Sequence, residues 1–408
     1  MKKLLLVLIF FFSLNSYAQN QEKSIEKNVY FLASDLLEGR YPATKGDSLA
    51  AEFIAQEFKR LNIQPFFETY YQKVRFYDLR NANSFQERKI GYSRNVVGII
   101  QGEDEKLKNE YIVIGAHFDH LGYGGKGSGS RSKDSTKIHY GADDNASGTA
   151  LMLSLAEKFS KTKPKRSIIF IAFCCEEEGL VGSRFFVDNL EKIKPEQINI
   201  MLNFDMVGKM KNKVLTLSGA KTARHLERMI KKTNTYNLDI IFSKNVVSAS
   251  DHASFYAKDI PVLYFTTGAD STYHTPDDIP PLLNYKDMEL LSNYSFDLIN
   301  YIDKRNKKLQ FHRVKEPSQK RTNVKITLGI MPDVTSDNYD GMKALIVSKG
   351  KPADKAGMKS GDIILEINKK KVNDVYSYME ILNSLNEKEN IEVKIKRDKK
   401  IKTLKIKL

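Results

Sequence analysis

Acidic residues and histidines occur in five short clusters, and each follows an apolar segment of the chain. Imidazole and carboxylate groups are ligands that zinc prefers, and one carboxylate can bridge two metal ions. Brought together, such groups would form a metal site able to activate water. The clusters contain His117 with Asp119, Asp143 with Asp144, Glu176 with Glu177, Asp205, and His274.

Each cluster taken alone has an ordinary explanation. Asp143 and Asn145 could cap a helix. Glu176 and Glu177 could belong to a solvated charged surface, and His274 could be a loop residue. The chain has only 7 histidines, however, and two of them head clusters that follow apolar segments. We therefore predict that the clusters meet in one metal site.

The spacing within two clusters separates possible roles. His117 and Asp119 are two residues apart, so on extended backbone their side chains point the same way. Asp119 could then hold the second ring nitrogen of His117. Glu176 and Glu177 are neighbours and would point apart, which allows one to bind metal while the other acts as a general base.

A scaffold must bring these distant clusters together. Short apolar runs rich in valine and isoleucine predict strands buried on both faces of a sheet, and helical patterns such as 146–161 lie between them. This alternation indicates an α/β fold, a three-layer sandwich with a mostly parallel central sheet, whose strand ends share one edge. The predicted strands are Asn95–Ile100, Tyr111–Ala116, Ser167–Cys175, Asn199–Phe204 and Ile260–Phe265. Residues 24–62 predict helix, with Asp47 as a cap.

Composition and charge narrow the class of protein. The chain has 408 residues, of which 41% are hydrophobic and 28% charged, values of an ordinary globular protein with two or three domains. Its formal charge is +15, and most of the excess lies between Asp303 and Leu408, with 26 basic against 14 acidic residues. Two cysteines exclude a disulfide scaffold, and the adjacent Cys174 and Cys175 are predicted to be buried packing residues.

The first 18 residues have the pattern of a signal peptide. Two lysines precede a short apolar run, and Ser16-Tyr17-Ala18 is a small-x-small cleavage site, so the mature chain is expected to begin at Gln19. The run is too short to span a bilayer as a helix. We expect export to the periplasm or the medium, without a stable membrane span after cleavage.

The cluster sequences resemble the motifs of metallopeptidase family M28, the co-catalytic di-zinc peptidases that include secreted bacterial aminopeptidases. The order also matches, from about Val29 to Ile302. The resemblance implies two zinc ions, although manganese or cobalt could occupy such ligands. The matching segments are Gly115–Asp119, Gly141–Gly148, Glu176–Ser183, Asn203–Met206 and His274-Thr275.

The resemblance also implies roles for individual residues. Asp143 is expected to bridge the two metals, and a cis peptide bond is expected between Asp143 and Asp144. Glu177 and His274 would complete one metal site, and His117 and Asp205 the other.

Four further residues receive roles from the same resemblance. Glu176 would be the general acid and base, and Asp119 would orient His117. Asp251 and His252 match a segment near the pocket and would lie behind the ligands or face the substrate.

The C-terminal part resembles a bacterial PDZ domain. We place a basic linker at residues 304–323 and the PDZ domain at 324–408, with Leu328, Gly329 and Ile330 as the loop that receives a peptide carboxylate. Such domains bind a peptide C-terminus as an added strand. A small packing module with a closed groove is the alternative. The basic terminal strand carries no nucleic-acid recognition motif, so no nucleic-acid partner is expected.

The resulting hypothesis is an exported di-zinc metallo-exopeptidase, an aminopeptidase that removes N-terminal residues from peptides. Two alternatives remain at this point: an acyltransferase like the glutaminyl cyclases, which share this fold, and a non-catalytic peptide-binding protein. An aminopeptidase would release free amino acid from a dipeptide amide, whereas a glutaminyl cyclase would release ammonia from glutaminyl peptides. Metal analysis would test the alternative of a non-catalytic peptide-binding protein.

Overall fold

The computed structural model describes residues 22–78, 89–125, 127–132, 136–243, 250–314, 326–332, 341–373 and 377–408, the last without residues 379, 380, 383, 387 and 388. The chain divides into two compact units, Met1–Arg313 and Val314–Leu408. The predicted signal peptide and residues 315–323 of the predicted linker lie outside the described residues.

The first unit is built on a sheet of nine strands within the described part of the chain. Their order is β1-β3-β5-β4-β6-β9-β7-β8, and β2 pairs with β3. The strands are β1 (Gln64–Pro65), β2 (Tyr71–Asp78), β3 (Lys89–Ile100), β4 (Tyr111–His117), β5 (Ser167–Phe173), β6 (Ile198–Phe204), β7 (Val214–Ser218), β8 (Asp239–Phe242) and β9 (Val262–Thr266).

The four central strands, β5, β4, β6 and β9, run parallel to one another. Strands β4, β5 and β6 are buried along their whole length, which explains why their sequences are unbroken apolar runs. Strands β3 and β7 pair antiparallel on either side of this centre. The prediction of a mostly parallel central sheet is confirmed, and its four central strands end at one edge.

Helices cover both faces of the sheet, as a three-layer sandwich requires. On β5, Phe170 packs against Phe58 of α2 and Phe159 of α3. Three residues along, Phe173 points to the other face and packs against Phe255 of α6, near α4. Helix α7 packs against both α3 and α5, so these three helices lie on the same face of the sheet. The helices are α1 (22–32), α2 (Lys45–Arg60), α3 (Gly148–Phe159), α4 (Val181–Asp188), α5 (Leu226–Thr233), α6 (His252–Tyr256) and α7 (Tyr285–Asp303).

The N-terminal helical region is divided where the sequence pattern predicted continuity. Helix α1 is followed by a 3₁₀ segment, Asp35–Arg40, and α2 begins only at Lys45. The cap of α2 is Thr44, whose Oγ1 accepts a hydrogen bond from Asp47 N at 3.3 Å. The prediction of Asp47 as the cap is wrong, because Asp47 lies inside the first turn of α2. Its buried carboxylate accepts from Ser93 Oγ at 2.7 Å and from Ala43 N at 3.1 Å.

The second unit contains a smaller antiparallel sheet of six strands among its described residues, in the order β10-β11-β12-β14-β15 with β13 beside β12. Leu328 is buried, Gly329 has a φ of +75°, and Ile330 begins β10, the edge strand. The elements are β10 (Ile330–Pro332), β11 (Met342–Val347), α8 (Pro352–Lys355), β12 (Ile363–Ile367), β13 (Lys370–Lys371), β14 (Asn390–Arg397) and β15 (Lys400–Lys407).

Two expectations about the chain can be checked directly. Cys174 and Cys175 are both buried and free, as predicted. In the parts of the chain that the structure describes, no helix combines the length and hydropathy that a membrane span needs.

The boundary of the first unit lies ten residues beyond the predicted one. Residues 304–313, the first half of the predicted linker, belong to the first unit. Leu309 is buried, and its N–H donates to Asn199 Oδ1 at 2.7 Å. Further along, His312 N donates to Thr222 O at 2.7 Å. The sequence pattern did not predict this packing, because most residues of the segment are basic or polar and only a few are apolar.

This boundary predicts different stabilities for two truncations that both lack the second unit. A chain ending after Arg313 should keep the stability of the first unit. One ending after Asp303 loses the burial of Leu309 and the bond to Asn199, so its free energy of unfolding should be lower by about 2–4 kcal/mol. Urea denaturation measures both values, and equal values would contradict the boundary at Arg313.

Candidate metal centre

The parallel strands place the predicted clusters at one edge of the sheet. His117 is the last residue of β4, and Asp205 comes directly after β6. Glu176 and Glu177 follow β5, while His274 lies on the loop that follows β9. Residues far apart in sequence thus meet because the carboxyl ends of parallel strands share one side.

The first group of possible ligands is formed by His117, Asp144 and Asp205, and all three are buried. His117 Nε2 lies 3.4 Å from Asp144 Oδ1 and 3.5 Å from Asp205 Oδ1. Ligand atoms bound tetrahedrally at about 2.1 Å from zinc stand about 3.4 Å apart. The spacing of these atoms therefore fits an ion between them.

The second group shares Asp144. His274 Nε2 lies 3.1 Å from Asp144 Oδ2 and 3.2 Å from Glu177 Oε2. His120 adds a second nitrogen to this group, since its Nδ1 lies 2.8 Å from Glu177 Oε1. The two oxygens of Asp144 thus face different groups, which is the arrangement expected of a carboxylate between two metal ions.

Asp144, and not the predicted Asp143, is the aspartate whose carboxylate faces both groups of possible ligands. Asp143 is in neither group, and its Oδ1 accepts a hydrogen bond from Gly208 N at 2.7 Å. The cis peptide bond was also predicted one residue too early, because it joins Asp144 to Asn145. Asp278 Oδ2 accepts from the backbone amides of both aspartates, at 2.9 and 3.0 Å, and so fixes the turn that carries them.

Asp119 has a different contact from the one predicted. Its carboxylate Oδ1 lies 3.8 Å from His117 Nδ1, too far for a hydrogen bond, whereas its backbone oxygen lies 3.3 Å from that nitrogen. The two carboxylate oxygens accept from Glu176 N at 3.0 Å and from Glu177 N at 3.2 Å. Asp119 therefore fixes the turn that carries the two glutamates.

The two glutamates have distinct surroundings, as predicted from their adjacency. Glu177 belongs to the second ligand group, while Glu176 belongs to neither group and keeps part of its surface accessible. Burial raises the pKa of Glu176 well above its usual range, and the nearby His117 opposes the shift. A carboxyl in such a setting can hold or release a proton.

Burial and neighbouring polar groups shift the pKa values of several acidic and histidine side chains at the centre. Burial alone would raise the pKa of Asp144, but hydrogen bonds with His117 and His274 hold it well below the usual range. Burial raises the pKa of Asp143 to about 8, and Asp278 adds to the shift. For His274, burial is outweighed by Asp144 and Glu177, which raise its pKa to about 10. Of the two neighbouring aspartates, the hydrogen bonds thus favour the charged form of Asp144, whereas burial favours the protonated form of Asp143.

Asp251 and His252 lie close behind the first group, at the start of α6. The preceding Ser250 donates from Oγ to Asp205 Oδ2 at 2.7 Å. Burial raises the pKa of Asp251 to about 7, and the ring of His252 stacks on Tyr264 with 4.6 Å between centroids. A role for either residue in substrate contact stays a prediction.

Sequence reasoning missed several residues that hold the centre together. His120 and Asp278 stand within or beside recognised clusters, so their positions were the available signal. Lys209 Nζ lies 2.9 Å from Asp278 Oδ1 and 3.3 Å from Asp270 Oδ1, which ties the loop carrying His274 to the end of β6. Neither Lys209 nor Arg40 lies in a cluster, and their contacts depend on the fold.

Arg40 is completely buried, and its acceptors among the described residues are backbone oxygens. Its guanidinium reaches Phe118 O at 2.7 Å, Tyr140 O at 2.7 Å and Gly141 O at 2.9 Å, and it also bonds Leu32 O. Burial lowers the pKa of Arg40 to about 10, and nearby carboxylates oppose that shift. This side chain joins α1, the end of β4 and the turn that precedes the bridging aspartate.

The chain belongs to peptidase family M28, whose profile matches residues 95–299. A PDZ domain profile matches residues 327–408, within the second unit. Both matches agree with the resemblance found in the sequence motifs.

Individual relatives support the same family. The chain is 29% identical over 195 residues to "Aminopeptidase YwaD" of Bacillus subtilis, covering 46% of this chain and 39% of that protein. It is 35% identical over 123 residues to a "Probable zinc metalloprotease" of Pyrenophora teres f. teres, covering 28% of this chain and 23% of that one. The matches thus span less than half the length of these relatives.

Solved structures show the same fold. An aminopeptidase from Aneurinibacillus sp. strain AM-1 aligns with a TM-score of 0.55 at 19% identity, covering 73% of this chain and 97% of that one. A zinc aminopeptidase from Bacillus subtilis aligns with a TM-score of 0.55 at 17% identity, covering 70% and 96%.

Replacing Arg40 by lysine should destabilise the first unit strongly. An ammonium group cannot reach all four carbonyls that the planar guanidinium satisfies, and a buried carbonyl left without a donor costs about 1–3 kcal/mol. We expect the free energy of unfolding to fall by about 3–5 kcal/mol, measured in urea. Arg60→Lys is the matched control, because Arg60 makes a surface ion pair with Glu57 and should change stability by at most about 1 kcal/mol. Equal effects of the two changes would contradict the role of Arg40.

Proposed function

We propose that this protein is an exported di-zinc exopeptidase, an aminopeptidase that removes N-terminal residues from peptides. The observation that carries the proposal is Asp144, whose two carboxylate oxygens face two separate groups of ligands. Membership of family M28 and the names of the aminopeptidase and zinc metalloprotease relatives support the reaction class. Export rests on the signal-peptide pattern of residues 1–18.

The donor sets identify the residues that would hold the ions. His117, Asp205 and Asp144 would hold one ion, and Asp144, Glu177 and His274 the other. Mixed imidazole and carboxylate ligands at these distances suit zinc, and manganese or cobalt would also be accepted.

Glu176 is the residue placed to move the proton. Two divalent ions, when bound, supply the Lewis acidity that activates water and polarises the scissile carbonyl. Glu176 takes the proton of the attacking water and returns it to the leaving amine. The Asp119 carboxylate fixes the backbone of Glu176 and Glu177 by accepting hydrogen bonds from their amides. In this arrangement Glu176 transfers the proton and the neighbouring Glu177 binds metal.

The second unit would supply a separate peptide contact. A PDZ domain binds an extended peptide C-terminus beside an edge strand. Here β10 is an edge strand, and Leu328, Gly329 and Ile330 lead into it. The proposed role of this unit is to select or present peptides, while all the proposed catalytic residues lie in the first unit.

The two neighbouring aspartates provide a test of the two-ion site. Asp144→Asn should lower zinc content from two ions per chain to at most one, because it removes the charge shared by both groups. Asp143→Asn should keep two ions, since a neutral side chain replaces a carboxyl whose pKa of about 8 already favours the protonated form. Elemental analysis after dialysis gives the ratio. Loss of zinc from Asp143→Asn alone would restore the bridging role to Asp143.

The two neighbouring glutamates test the mechanism. Glu176→Gln should keep its zinc and lose about 10²–10⁴-fold in turnover, because the amide cannot accept a proton. Glu177→Gln should lose zinc first, since it removes a ligand charge.

Turnover is measured as free amino acid released from a dipeptide amide, and glutaminyl peptides are assayed in parallel for ammonia. If Glu176→Gln loses metal while Glu177→Gln keeps it, the two roles are reversed. Ammonia release without hydrolysis would favour the glutaminyl cyclase-like alternative.

A further inference from the structure

The loop between β4 and the turn that carries Asp144 makes two hydrogen bonds to the metal-ligand candidate His274. We call it the rim loop, and it comprises the described residues 122–125, 127–132 and 136–141. Gly129 O lies 3.0 Å from His274 Nδ1, and Arg131 N donates to His274 O at 3.0 Å. His274 is therefore contacted on its backbone and on the ring nitrogen that faces away from Asp144 and Glu177.

The rim loop is fixed by its own side chains. Ser130 Oγ lies 2.7 Å from His139 Nε2 and accepts from Ser132 N at 3.0 Å. His139 is fully buried, and its backbone N–H donates to Gly122 O at 2.8 Å. Ser130 and His139 thus connect the middle of the rim loop to its buried end.

His274 needs such support more than His117 does. His117 ends a fully buried strand, so the sheet itself sets the direction of its side chain. His274 lies on a loop, has a φ of +58° and keeps part of its surface exposed. A histidine that binds metal through one nitrogen is oriented by the hydrogen bond that its other nitrogen donates.

We propose that the rim loop is a positioning element for His274, in which Ser130 and His139 hold the Gly129 carbonyl against the His274 ring. The bond to Gly129 keeps the proton on Nδ1 and directs the lone pair of Nε2 towards Asp144 and Glu177. The proposal rests on the two-ion site proposed above. Ser130 and His139 are positioning residues, since neither belongs to the ligand groups formed by the described residues.

Removing one hydroxyl tests the proposal in the full chain. Ser130→Ala should weaken the zinc ion held by His274 and Glu177 by about tenfold, and leave the other ion and the Tm of the metal-free protein unchanged. Ser130→Thr retains a hydroxyl and should restore the affinity. Zinc affinities are measured by competition with a chelator, and His274→Ala identifies which of the two dissociation constants belongs to this ion.

Two glycines of the rim loop form a second matched pair. Gly129 and Gly127 have φ values of +80° and +83°, so alanine carries a similar backbone cost at either position. Gly129 also bears the carbonyl that lies 3.0 Å from His274 Nδ1, so backbone strain there acts directly on this contact. Gly129→Ala should therefore weaken the same zinc ion more than Gly127→Ala does.

The outcomes separate the two proposals. If the parent protein does not bind two zinc ions, the proposed function fails. If the parent binds two and Ser130→Ala binds both with parental affinity, or loses both equally, the positioning role alone is overturned. A fall in the Tm of metal-free Ser130→Ala, or no rescue by threonine, would also overturn it. Selective weakening with rescue supports it.

Discussion

The constraint on which the structure depends is the negative charge gathered at one buried edge of the sheet. Asp144 lies 3.4 Å from His117 and 3.1 Å from His274. Asp205 lies 3.5 Å from His117, Glu177 lies 3.2 Å from His274, and the charge of Glu176 acts on His117. Carboxylates taken out of water in such proximity are costly unless positive charge lies between them. Arg40 and Lys209 supply part of that charge, and metal ions bound between the carboxylates would supply the rest.

The fold meets this constraint with elements of different rigidity. Strand ends deliver His117 and Asp205 directly, because β4 and β6 are buried along their whole length. Turns carry the other ligands, and each turn is fixed by a buried polar side chain. Asp119 holds the glutamates, and Asp278 holds the amides of Asp143 and Asp144. Precision at the centre therefore comes from hydrogen bonds to backbone amides and carbonyls as much as from packing.

The predictions that succeeded used local signals. The buried central strands are continuous apolar runs, and His117, Glu176 and Asp205 come at or directly after the ends of such runs. The central strands and the residue types of the candidate site were therefore readable from the sequence. The errors were of one or a few residues. Asp143 was chosen in place of Asp144, and Asp47 in place of Thr44, because neighbouring residues differ only in where the folded backbone points them.

The sequence by itself determined the α/β architecture, the chemistry of the site and the separation into two units, since these follow from periodicity, residue type and motif order. Tertiary structure decided which aspartate faces both ligand groups and which carbonyls Arg40 satisfies. It also decided that residues 304–313 pack on the first unit. Those features depend on contacts between segments that are far apart in sequence. Arg40 and Gly141 are 101 residues apart, and Asp278 and Asp144 are 134 residues apart. Such contacts leave no periodic trace in either segment, because a single side chain makes them.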